Sequence, residues 1–120
     1  MKFVIGGQIE KEKIAETVRR EAGEHVDSLT VMGDIEAAMA IKSGAADYYF
    51  GACNTGGGGA LAMAIAILGA SQCITVGMPG KILSNEEIIA EVKAGKKAFG
   101  FTGQDIDVVV PIILKAILGL

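Results

Sequence analysis

Five times within 120 residues a short β-type run passes through a glycine-bearing turn into a segment with helical spacing, and this alternation limits the fold more than any single motif does. Residues 2–5 form the first run, ending at Gly6-Gly7; residues 9–22 then set Ile14, Ala15, Val18 and Ala22 on one helical face, with Gly23 as the stop. Residues 27–32 read as a second strand, followed by Gly33 and by Asp34, a good N-cap for a helix over 35–43 that Gly44 terminates. The third unit joins an aromatic strand, 47–52, to a turn at 53–59 and to a wholly apolar helix over 60–68 closed by Gly69. A fourth strand covers 72–76. Beyond Met78-Pro79-Gly80, the run Ser84-Asn85-Glu86-Glu87 has capping-box spacing for a helix reaching Ala94. The fifth strand covers 98–101, and the tail 105–118 has helical spacing in which Pro111 either kinks the helix or lies in its first turn.

Strands that alternate with helices are joined by right-handed parallel crossovers, so the sheet carries helices on both faces. The expected fold is therefore a three-layer α/β, Rossmann-like or flavodoxin-like domain of about five parallel strands, spanning residues 1–120 as one unit without linker or repeat. The helix over 60–68 has no polar face, so it is either covered within the domain or pressed against another subunit. A homo-oligomer is the expectation.

Composition narrows the function classes. Apolar residues make up 51% and charged residues 21%, which excludes a disordered chain. Eleven basic against 14 acidic residues, with no like-charge block, exclude the electrostatic footprint of a nucleic-acid binder. No apolar stretch approaches the ~20 residues that a membrane span needs, and the first 24 residues lack the pattern of a signal peptide, so a cytoplasmic location is expected. Cys53 and Cys73 stand twenty positions apart and His25 is the single histidine, which suggests neither a disulfide framework nor a metal site. No cofactor motif is complete. Gly57, Gly59 and Ala62 fit GxGxxA, yet no acidic residue ends the next strand, and GxxxxGK[ST] is absent.

In open parallel sheets ligands bind beyond the carboxyl ends of the strands, where this chain concentrates glycine: Gly6-Gly7-Gln8, Gly33-Asp34, Cys53-Asn54-Thr55-Gly56, Gly77-Met78-Pro79-Gly80-Lys81 and Gly103-Gln104. The sharpest segment is Cys53-Asn54-Thr55-Gly56-Gly57-Gly58-Gly59. Four successive glycines cost backbone entropy on ordering, and a flexible loop ahead of a helix start can wrap N–H donors around an oxyanion or phosphate. The same field would favour a Cys53 thiolate, and Thr55 could add a hydroxyl donor. Glycines at such turns also serve tight helix-to-sheet packing, with Cys53 a small buried residue, and that reading stays open. The candidate ligand-binding set is Gly6, Gly7, Gln8, Asp34, Asn54, Thr55, Gly56, Gly57, Gly58 and Gly59, with Cys53 as the candidate catalytic residue. Lys81 is the cation expected nearest this rim, and Tyr48 and Tyr49 are read as packing.

The segments Asp34-Ile35-Glu36-Ala37-Ala38-Met39, Lys42-Ser43-Gly44, Asp47-Tyr48-Tyr49 and Gly51-Ala52-Cys53-Asn54-Thr55-Gly56, echoed by Ala98-Phe99-Gly100, resemble the YhfU-like family of uncharacterised small bacterial proteins over nearly the full length. That resemblance implies a setting in carbon metabolism or uptake, with a transporter or pathway enzyme as a partner. A second resemblance, over about a quarter of the chain, is to the type B ribose-phosphate isomerases. Their turn reads C-G-T-G-x-G, and Cys53-Asn54-Thr55-Gly56-Gly57-Gly58 stands in it with Asn54 in place of the first glycine. It implies Cys53 as the base that moves a proton between adjacent carbons, with loop amides stabilising the enediolate. The chain departs from that family at Gly6-Gly7-Gln8, where an Asp-His pair belongs, and its two arginines, Arg19 and Arg20, both lie on the first helix. Three expectations follow: a small anionic or phosphorylated metabolite bound at the glycine loop, a non-catalytic assembly subunit of a carbohydrate pathway, or an isomerase-like enzyme.

Overall fold

A computed structural model of the chain describes residues 1–54 and 58–120. In chain order the elements are β1 (Lys2–Gly7), α1 (Lys11–Ala22), β2 (Ser28–Val31), α2 (Asp34–Lys42), β3 (Tyr48–Cys53) and α3 (Gly58–Leu68), then β4 (Cys73–Thr75), β5 (Gly77–Met78), β6 (Lys81–Ile82), α4 (Asn85–Lys93), β7 (Ala98–Thr102) and α5 (Ile106–Leu118). Five strands form one parallel sheet in the order β2-β1-β3-β7-β4. β5 and β6 pair separately as a short antiparallel hairpin, where the sequence predicts a turn. Relative to the flavodoxin order 2-1-3-4-5, the last two sheet strands are exchanged, since β7 returns to lie between β3 and β4.

The steps from β1 to β2 and from β4 to β7 run one way across the sheet, whereas β2 to β3 and β3 to β4 run the other. Right-handed crossovers then require the two sets of helices to lie on opposite faces. They do: α1, α5 and α4 pack together, and α2 packs on α3. The strands supply both cores by alternation. Phe3, Ile5, Phe50, Ala52, Phe99 and Phe101 join the α1/α5 core, while Val4, Tyr49 and Ala98 join the α2/α3 core. On the first face Phe3, Phe50 and Phe99 form a row with ring centroids 5.8 Å apart at each step.

Local signals explain the helices. α1 buries Ile14, Ala15, Thr17, Val18 and Ala22, and its buried hydroxyl is satisfied because Thr17 Oγ1 donates to Lys13 O at 2.8 Å. α4 starts with the expected capping box: Glu87 N–H donates to Ser84 Oγ at 3.2 Å, and Ser84 N–H to Glu87 Oε1 at 3.0 Å. That bonding holds the Glu87 carboxyl below its usual range. Pro111 lies inside α5, past the first turn, so the Asp107 carbonyl has no i+4 amide to accept from. The apolar α3 is covered on one side only, since Ala60, Leu61 and Ala64 are buried while Ala62, Ile65 and Ala66 are exposed. Among the described residues no helix is long and apolar enough to cross a membrane.

Candidate functional site

The carboxyl ends of β1 and β3 lie side by side, Gly7 opposite Ala52. From here the chain leaves β1 towards the β2 edge and leaves β3 towards the β4 edge, the divergence that opens a crevice in a parallel sheet. β7 flanks β3 on its other side, with Thr102 opposite Cys53. The carboxyl ends of β1, β3 and β7, from which three of the predicted rim turns leave, thus lie side by side with β3 in the middle.

Gly6 and Gly7 are held to this place by sterics. A Cβ on Gly6 would fall 2.6 Å from the Tyr49 ring, and one on Gly7, whose φ is +76°, would fall 2.6 Å from the Ala52 nitrogen. Tyr49 is fully buried, and its hydroxyl accepts from Gly7 N–H and donates to Ala60 O, both at 3.0 Å. One phenol therefore ties the end of β1 to the first turn of α3. Burial pushes the Tyr49 pKa up to about 12, helped by the Asp34 carboxylate and opposed by the Gly7 hydrogen bond. The sequence predicts a packing role alone for Tyr49. Its bridge joins residues 42 and 11 positions away, which no local pattern reports.

Other rim residues fall as follows. Gln8 and Ile9 both donate backbone N–H to Ala52 O, at 2.9 and 3.2 Å, which leaves the Gln8 side chain exposed beside β3. Glu10 adopts φ 55°, ψ 29°, the one positive φ on a non-glycine residue among those described, and its carbonyl accepts from Ile14 N–H to start α1. Asp34 is the first residue of α2, not its cap, which is Gly33; its half-buried carboxylate accepts from Ile35 N–H at 3.0 Å. Lys11 donates from Nζ to Met32 O at 2.9 Å, so a half-buried ammonium bridges the turns after β1 and β2. It is a rim cation that the sequence reading missed while favouring Lys81, which stands exposed on β6. Only the position of Lys11, three residues past Gln8, could have signalled it. Thr102 is buried, and its Oγ1 donates to Asp105 Oδ2 at 2.6 Å.

Cys53 is the last residue of β3 and is 1% exposed. Asn54 follows it and is exposed. Thr55, Gly56 and Gly57 lie outside the described residues. Gly58 and Gly59 open α3 two residues earlier than the sequence predicts, so half of the glycine quartet belongs to the helix start.

A family model described as "Protein of unknown function DUF2620" matches residues 1–117. The chain is also 36% identical over 115 residues to "Uncharacterized protein YhfU" of Escherichia coli strain K12, covering 96% of this chain and 97% of that protein. The same protein in Shigella flexneri matches to the same extent. With a family model matching nearly the whole chain and relatives 36% identical from end to end, this chain belongs to the DUF2620 family and has the YhfU proteins as relatives.

Proposed function

We propose that the domain binds a small anionic metabolite, a phosphorylated sugar or acid, in the crevice between β1 and β3, with residues 54–59 as its cradle and Gln8 as its neighbouring wall. The observation that carries this reading is the divergence of the chain at β1 and β3, because α3 begins at the same point, at Gly58. A helix start offers unpaired N–H donors and partial positive charge, while glycines leave the backbone open to a ligand. Lys11, at the start of α1 just past β1, adds positive potential at the same rim. The bonds around Gly7, Gln8 and Ile9 fix the β1 side as a rigid wall, so on that side the ligand meets the Gln8 side chain and not free amides. Cys53, 1% exposed at the end of β3, favours binding over proton transfer by its thiol. Thermal-shift titration with ribose 5-phosphate and glucose 6-phosphate tests the reading. Stabilisation of about 2 kcal/mol or more near 100 times Kd is expected, abolished in Gly57→Val. No shift with either phosphate at millimolar concentration would contradict it.

A second reading concerns assembly. Ile35 and Met39 on α2 and Ile65 on α3 are exposed, and α3 carries no charged residue. These favour a homo-oligomer formed through the outer surface of the α2/α3 layer. Sedimentation velocity checks it: a dimer or larger species is expected, converted to monomer by Ile65→Lys with Met39→Lys.

A further inference from the structure

A cavity of about 460 Å³ opens at the end of the sheet opposite the glycine loop, where α2 and α3 finish and β4 and β7 start. Its size falls within the roughly 300–1,000 Å³ typical of small-molecule sites. Ile41, Ile67 and Leu68 contribute apolar side chains to its lining, and two lysines, Lys42 and Lys97, line it as well. No carboxylate lines it, and neither lysine forms an ion pair with any described residue. The adjacent Lys96 differs, being spent on Ser71 O at 2.9 Å and on Glu91 at 3.9 Å. Two helix C-termini converge here, and their partial negative charge would repel an anion if the carbonyls were open. Half of the last eight are closed, and two full lysine charges outweigh the partial charge of roughly half a unit at each helix end. The carbonyls of Met39, Ala40, Ile41 and Ile65 accept from the amides of Ser43, Ala46, Gly44 and Gly69. The local balance is therefore positive in a chain of net charge −3.

We propose that this cavity binds a small amphipathic anion, its charged head held between Lys42 and Lys97 and its short aliphatic chain lying against Ile41, Ile67 and Leu68. An apolar wall beside two unneutralised cations selects for both halves of such a ligand: a bare anion loses the wall, and a neutral aliphatic loses the charge. The site is separate from the glycine loop, at the other end of every strand. The test is an amide-resolved NMR titration of the full chain with hexanoate and hexyl phosphate, against inorganic phosphate and hexanol as controls. Either amphiphile should shift the amides of Ser43, Gly44 and Lys97, and both controls should bind roughly tenfold or more weakly. Lys42→Gln and Lys97→Gln, both on exposed side chains, should each weaken binding about tenfold, whereas Gly57→Val should leave it unchanged. Shifts from hexyl phosphate alone would assign the head group as phosphate, and shifts from hexanoate alone as carboxylate. Absence of shifts at roughly 10 mM of both amphiphiles, shifts confined to residues 54–60, or equal affinity in the doubly substituted chain would overturn the proposal.

Discussion

Tyr49 is the residue on which the rim depends most. Replacing it with Phe keeps the ring but strands the Gly7 N–H and the Ala60 carbonyl in the interior, so Tyr49→Phe should destabilise the fold by roughly 2–3 kcal/mol in urea unfolding. The phenol also sets an alkaline limit. Its folded-state pKa is raised from 10.0 to about 12, so the stability gained by burying the neutral form is complete below pH 10 and is lost as pH rises through 12. Alkaline unfolding followed by circular dichroism should show this decline in the native chain and a shallower one in Tyr49→Phe. Glycine at the end of β1 makes a separate prediction. Gly95 has φ +97° with open space around it, so Gly95→Ala should cost about 1–2 kcal/mol from backbone strain alone. Gly7 adds a backbone collision, and Gly7→Ala should cost roughly 2 kcal/mol more. Equal costs would mean that the close approach of β1 to β3 can relax.

At the scale of elements, what is local in sequence was legible and what is paired across the chain was not. The capping box at Ser84 and Glu87 is written in four consecutive residues, and both of its bonds are present. Ser84→Ala should accordingly lower stability by about 1 kcal/mol, measured by thermal or urea unfolding, with Ser84→Asp retaining most of it. Glycine stops at 23, 44, 69 and 95 were legible for the same reason. The insertion of β7 between β3 and β4 was not, because an apolar strand buried on both faces carries no mark of which neighbour it takes. The β5–β6 hairpin escaped because strands of two residues have no periodicity to detect. Asp34 was misread by one position: Gly33 caps α2 without a side chain, and the more familiar capping residue stands beside it. Gly58 and Gly59 were read as loop because glycine is a poor helix former, yet the first turn of a helix tolerates them.

For the whole molecule, the order of strands decides where a ligand can sit. Gln8 and Cys53, the end of β3 from which the glycine loop leaves, are 45 residues apart in sequence, and the ends of β1 and β3 become neighbours only because the two strands pair while their connections diverge. The sequence therefore named the rim through its glycines, but the juxtaposition came from topology, as did Lys11 and the cavity at the far end. The crevice at β1 and β3 is the anion site we propose. The most direct measurement is isothermal titration of the native chain with a sugar phosphate, with amide shifts recorded in parallel. The prediction is saturable binding, shifts centred on Asn54 to Ala60 and on Gln8, and loss of both in Gly57→Val. Heats no larger than dilution, or shifts that fall only beside Lys42 and Lys97, would contradict it.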